Sequence, residues 1–136
     1  MIEKIILRLG NDGEFHLSEK QCGRDMNSKQ ILLYAAAKCA AMTLWMIMRK
    51  EQFQPKNLEI ALTGELSTPT LESKSVFTAF HIVYNVECAL DEEQSKIGEW
   101  VHRTQNTECG VMIMLQKIAP VNLQTAIVAT GIDCKA

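Results

Sequence analysis

Apolar positions at the start of the chain form two short runs, residues 1–9 and 14–17, split by Gly10-Asn11-Asp12-Gly13. Asn and Gly tolerate positive φ, so this tetrapeptide predicts a turn and its flanks an N-terminal hairpin. A polar stretch, residues 18–27, leads into residues 28–50, which hold no Gly or Pro and are rich in Ala, Leu and Met. That run predicts one long helix. Asn27 sits at its N-cap, and Gln30 three residues later nearly completes a capping box. Arg49 and Lys50 stand where cations complement the C-terminal dipole. Between Ile31 and Met48 the one charge is Lys38. Eighteen such residues approach the length of a membrane span, but a charge near the middle of a span is costly, and every later segment has the pattern of amphipathic, water-soluble structure. The pattern therefore predicts a helix covered on nearly all sides. One small sheet cannot cover it, so a second sheet or a second subunit is expected.

Residues 57–66 alternate Leu58, Ile60 and Leu62 against Glu59, Ala61 and Thr63. Residues 76–90 alternate Phe80, Ile82, Tyr84 and Val86 against Ala79, His81, Val83 and Asn85. Both predict strands, and residues 67–75, polar and containing Pro69, form the loop between them. Asp91 opens an amphipathic helix to about Arg103, with Gln94 placed to reach back to the cap. The polar group Gln105-Asn106-Thr107-Glu108 precedes a short apolar helix, residues 110–118, that stops at Pro120, and residues 121–130 alternate as a last strand. The order ββ-α-ββ-αα-β predicts an α+β fold, with residues 1–136 as a single domain.

Composition narrows the function. The 136 residues are 47% hydrophobic and 22% charged with a net charge of -2, which lacks the Lys and Arg excess of a phosphate-tracking protein. No nucleic-acid or membrane partner is expected. The opening residues MIEKIILRLG carry charges within a short apolar run and lack the parts of a signal peptide, so a cytoplasmic location is expected. His16, His81 and His102 have no metal-binding spacing and no phosphate loop occurs, so neither a metal nor another cofactor is expected. Five cysteines, Cys22, Cys39, Cys88, Cys109 and Cys134, form no Cys-x-x-Cys motif and no disulfide framework. They read as separate thiols in a reducing compartment. Cys39 lies inside the long helix among small residues, AAAKCAAMTL, which suits a small core residue or a thiol with room beside it. If Asn106 or Thr107 caps the third helix, Cys109 lies in its first turn, where the dipole favours a thiolate. Cys109 reads equally as an uninvolved thiol.

A set of segments in this order resembles the OsmC/Ohr family. They are Gln30-Ile31-Leu32-Leu33 entering the long helix, Cys39, Ala41-Met42-Thr43-Leu44, the strand Leu58-Glu59-Ile60-Ala61-Leu62-Thr63-Gly64-Glu65, and Cys109-Gly110-Val111-Met112-Ile113-Met114-Leu115 before Pro120-Val121. The resemblance covers about residues 23 to 130, and its persuasive part is two cysteines set in the right elements in the right order. It implies an intertwined homodimer whose antiparallel sheets wrap the central helices. It also implies a thiol-dependent peroxidase for organic hydroperoxides, an oxidative-stress enzyme. By that resemblance Cys39 attacks the peroxide, Cys109 resolves the sulfenic acid as a disulfide, and a dithiol reductant recycles the pair.

The helix dipole fades within the first turn and does not reach Cys39, so a thiolate there calls for a cation. The family supplies an arginine held by a glutamate. Here the position nine residues before Cys39, commonly Glu in relatives, is Gln30, and Arg24 is the arginine expected near the site, with Arg8 as its competitor. Lys38, adjacent in sequence, is turned about 100° around the helix. Two other functions stay open. One is a non-catalytic binding protein for a small hydrophobic ligand, which Gln30 favours; the other is a redox sensor using the same disulfide as a signal.

Overall fold

The computed structural model describes residues 1–18 and 26–131. Strand β1 (Ile2–Leu9) and strand β2 (Phe15–Leu17) form the expected hairpin, paired through Leu9 with Phe15 and Leu7 with Leu17. Gly13 takes φ of 80°, a conformation open to glycine, and the Asp12 carboxylate accepts from the Glu14 amide at 3.0 Å to close the turn. Helix α1 (Ser28–Lys50) begins as the sequence predicts. The Asn27 side chain accepts from the Gln30 amide at 2.9 Å, and the Gln30 side chain accepts from the Asn27 amide at 3.1 Å. Asn27 also donates to Glu3 at 2.9 Å, which ties the helix start to β1.

Strands β3 (Asn57–Leu66) and β4 (Phe77–Cys88) follow, then helix α2 (Glu93–Arg103), a π-helical turn (Thr104–Glu108), helix α3 (Gly110–Ile118) and strand β5 (Val121–Ala129). The five strands form a single sheet in the order β2-β1-β3-β4-β5. The order of helices and strands follows the hydrophobic pattern, but the sheet differs from the antiparallel sheets expected. Strand β5 runs parallel to β4, because the connection between them holds two helices and is long enough to cross over. The start of α2 also differs. Leu90 donates to the Glu93 carboxylate at 3.0 Å, whereas the Gln94 side chain reaches across to the Ile127 carbonyl of β5 at 3.0 Å instead of back to a cap.

Alternation decides which sheet face meets the helices. Ile5, Leu7, Leu58, Ile60, Leu62, Phe80, Ile82, Tyr84 and Val86 are all buried and share one parity of their strands. Against that face α1 packs Leu33, Ala36, Ala37, Ala40, Ala41, Leu44, Ile47 and Met48, and the alanines let the helix sit close to the sheet. Ile97, Trp100 and Val101 of α2 and Met112 and Leu115 of α3 complete the layer. Gly64 shows how tight this contact is. A β-carbon there would overlap the Phe77 ring and lie 3.3 Å from Leu33 Cδ2, and Phe77 is itself held against Phe80 with ring centroids 5.1 Å apart. Gly64→Ala should therefore cost about 1–3 kcal/mol, read as a lower urea midpoint with an unchanged slope.

Helix α1 is long and apolar enough to cross a membrane by length and composition, yet it lies against the core. Its other side is bare. Leu32, Met42 and Met46 are 42%, 52% and 52% exposed, and with Ala35 and Cys39 they follow alternate steps of three and four residues, the spacing of a helix-to-helix seam. Among the described residues no second sheet covers this side.

Candidate functional site

Cys39 and Cys109, 70 residues apart in sequence, meet where α1 passes the start of α3. The Cys109 thiol donates to the Cys39 sulfur across 3.1 Å. That places the sulfurs about 1 Å beyond the length of a disulfide bond. Both thiols are free, with Cys39 half-buried and Cys109 at 0% exposure.

The π-helical turn sets the position of Cys109. Its amide donates to the Thr104 carbonyl at 3.0 Å, and its backbone is extended, so Cys109 is the cap residue of α3 and not part of its first turn. The sequence-based expectation of a dipole-favoured thiolate does not hold. Burial, then the hydrogen bond its proton makes to Cys39, pushes the Cys109 thiol up to about 11. The amides of Met112 and Val111 oppose that rise, and charge on Cys39 adds to it. At pH 8 about one Cys109 in a thousand would then be ionised. In the native reduced protein, iodoacetamide should label Cys39 well before Cys109, whose labelling should climb only as pH approaches 11. Equal labelling of the two at pH 8, followed by peptide mass mapping, would contradict this.

Two residues that the sequence did not single out, one of them four residues before Cys109, form a buried polar pair. Tyr84 projects from β4 on the inward parity, and its hydroxyl donates to Gln105 Oε1 at 2.9 Å. Burial, then the charges of Cys109 and Cys39, pushes the Tyr84 hydroxyl upward. Gln105 belongs to the π-helical turn, is 2% exposed, and has its carbonyl bonded by the Gln116 side chain at 3.0 Å. Its Nε2 has no hydrogen-bond partner. The available signals were Tyr84 itself, a polar tip in an inward apolar row, and the polar run before Cys109. Neither signal reveals that the two residues meet.

The other candidates lie elsewhere. Gln30 is engaged in the cap of α1, nine residues and roughly 13 Å along the helix from Cys39, on the opposite side. Arg24 falls outside the described residues, as do Cys22 and Cys134. Arg8 pairs with Glu59 at 2.7 Å on the sheet face away from α1. Lys38 reaches the Tyr34 hydroxyl at 3.4 Å and lies 5.7 Å from that ring's centroid. Cys88 is buried at the end of β4, bonds the Leu90 carbonyl at 3.5 Å, and is pushed up by burial. Among the described residues no cluster of His, Cys, Asp and Glu could hold a metal ion.

A mixed sheet backed by helices, with two thiols in contact between the first and third helices, defines an α+β protein with a dithiol centre. The chain belongs to the OsmC-like protein family, whose sequence model matches residues 20–124. Among solved structures it resembles an OsmC-like protein from Mycoplasma pneumoniae, with 16% identity over 94% of this chain and 96% of that one and a TM-score of 0.64. A hypothetical protein from Aquifex aeolicus VF5 is similar at 16% identity, over 93% and 94% of the two chains, with a TM-score of 0.64. An organic hydroperoxide resistance protein OsmC from Legionella pneumophila is similar at 14% identity, over 91% and 96%, with a TM-score of 0.54. No curated protein matches the sequence.

Proposed function

We propose that the protein is a cytoplasmic, thiol-dependent peroxidase that reduces organic hydroperoxides, with Cys39 as the attacking thiol and Cys109 as the resolving one. The 3.1 Å contact between the two sulfurs carries this reading. The half-buried Cys39 is the thiol a peroxide can reach, and Cys109 lies behind it. In the first step Cys39 thiolate takes the terminal oxygen, the O–O bond breaks, and the alkoxide gains a proton to leave as an alcohol. In the second, Cys109 attacks the Cys39 sulfenic acid, the disulfide forms and water leaves. A dithiol reductant returns both thiols and is itself oxidised to a disulfide. Burial, the largest cause of the raised Cys109 thiol, persists through the cycle, and the Met112 and Val111 amides oppose it in favour of the thiolate. Leu32, Met42 and Met46, on the same side of α1 as Cys39, suit an alkyl peroxide better than hydrogen peroxide, and a second copy packed on this seam would cover the helix.

Cumene hydroperoxide should convert the reduced protein to a form lighter by two hydrogens, with Cys39 and Cys109 linked in the peptide map. No mass loss, or a linkage between other cysteines, overturns the reading. The capped Gln30, which supplies no charge, favours the second reading of a binding protein for a small hydrophobic ligand. That reading expects a lipid-like molecule to co-purify and both thiols to survive peroxide. A redox sensor would instead react once, without turnover under a dithiol reductant.

A further inference from the structure

A disulfide is split by a nucleophile that arrives along the S–S line, on the far side of the sulfur it attacks, while the other sulfur leaves as a thiolate. The two ends of the Cys39–Cys109 line differ. The sulfurs already lie 3.1 Å apart, so closing to a bond of about 2 Å asks for little movement, and their surroundings carry over to the oxidised form. Beyond Cys109 the line enters packed interior, since Cys109 is 0% exposed and belongs to the core with Met112 and Leu115. Cys39 is half-buried and stands in the row of Leu32, Ala35, Met42 and Met46 on the bare side of α1, so its open surface lies where Cys109 does not.

We propose that the reductant attacks the disulfide at Cys39, with Cys109 as the leaving group, so that the sulfur that meets the peroxide also meets the reductant. The inference rests on the peroxidase reading. The reductant's thiolate bonds to Cys39 Sγ as the S–S bond breaks, and Cys109 departs with the electron pair and takes up a proton. The second thiol of the reductant then attacks its own sulfur in this mixed disulfide, and Cys39 leaves as the thiolate. Two electrons pass to the protein, and the dithiol becomes a disulfide. Burial, which pushes the Cys109 thiol up, makes it a poor leaving group. Access outweighs that penalty, because a sulfur with no exposed surface meets a nucleophile only when the structure opens locally. The same burial keeps the released Cys109 protonated and slows its return onto Cys39. One opening thus serves both half-reactions, which must alternate.

Sulfite reports which sulfur is attacked, because it leaves an S-sulfonate on the sulfur it strikes and a thiolate on the other. Protein oxidised with cumene hydroperoxide is treated briefly with sulfite, quenched in acid and mapped by peptide mass. It should carry at least about tenfold more sulfonate on Cys39 than on Cys109. The same protein unfolded in guanidinium chloride should carry comparable amounts on both. That control removes the bias of Lys38 beside Cys39 and Glu108 beside Cys109, which act on an anion in any conformation. 2-Mercaptoethanol, a thiol without charge, should place its early mixed disulfide on Cys39 as well. Adducts on Cys109, an equal division in the native protein, an undiminished preference after unfolding, or a native disulfide that resists sulfite overturns the proposal while the peroxidase reading stands. Protein that forms no Cys39–Cys109 disulfide with cumene hydroperoxide overturns both.

Discussion

Cys39→Ser is expected to lower peroxide turnover by at least about a thousandfold and to leave no intramolecular disulfide after peroxide treatment. A serine hydroxyl stays protonated at neutral pH and is a far weaker nucleophile than a thiol, and among the described residues neither of the other thiols is placed to act in its stead. Cys109 is fully buried, and burial alone still pushes its thiol upward. Cys88 is buried at the far end of β4, bonded to Leu90. The fold should survive, because the position is half-buried and the change nearly isosteric, with stability altered by about 1 kcal/mol or less. The reciprocal variant has a different signature. Cys109→Ser should still consume one peroxide per Cys39, then stall and gain further oxygen, since nothing resolves the sulfenic acid. Intact mass after cumene hydroperoxide distinguishes the two, with no oxygen gained at position 39 in the first and one or more in the second. Continued turnover by Cys39→Ser would remove Cys39 from the chemistry.

Local signals in the sequence translated directly into structure. The Asn27 and Gln30 pair forms the capping box its spacing predicts, and the turn at Gly13 forms where glycine permits it. Alternation in β3 and β4 correctly names the inward residues, because burial on one face imposes a period of two. Strand β5 was legible as a strand but not as a parallel one. Its direction is fixed by the path of two helices, a property of the whole chain. The same distinction runs through the candidate site. Cysteines in two helices are visible as candidates, whereas their contact depends on how α1 and α3 pack. Gln30 is readable in two ways, as a cap and as a site residue, and within one chain its side chain serves the cap. Tyr84 and Gln105 were hidden for a further reason. Their partnership joins a sheet position to a π-helical turn, and neither hydrophobic periodicity nor helix propensity signals such a turn. Cys109 illustrates the cost of that blindness: the turn draws it out to the cap position, and burial then outweighs the helix start.

Met42→Glu combined with Met46→Glu is expected to convert the proposed dimer to a monomer. Leu32, Ala35, Cys39, Met42 and Met46 run along the bare side of α1, and Met114 and Ile118 of α3 are 58% and 61% exposed. Isolated exposed apolar residues are ordinary, but a seam at steps of three and four on one helix is what packs against another helix. Two carboxylates introduced into each copy would have to be buried in an apolar seam with Leu32 and Ala35, and the two-fold axis would bring like charges together. Removing the apolar contacts and adding that repulsion should weaken association by roughly a thousandfold, or about 4 kcal/mol. Sedimentation at micromolar concentration reads the change, and a wild-type monomer or a dimeric variant would sink the proposal. Circular dichroism should remain close to wild type, because neither methionine belongs to the buried layer of the protomer. The consequence for chemistry follows from the place of Cys39 between Ala35 and Met42 in the same seam. A copy packed there would form one wall of the approach to its sulfur. Separating the copies should therefore speed alkylation of Cys39 by iodoacetamide while slowing its reaction with cumene hydroperoxide, whose aryl group loses the apolar wall that holds it.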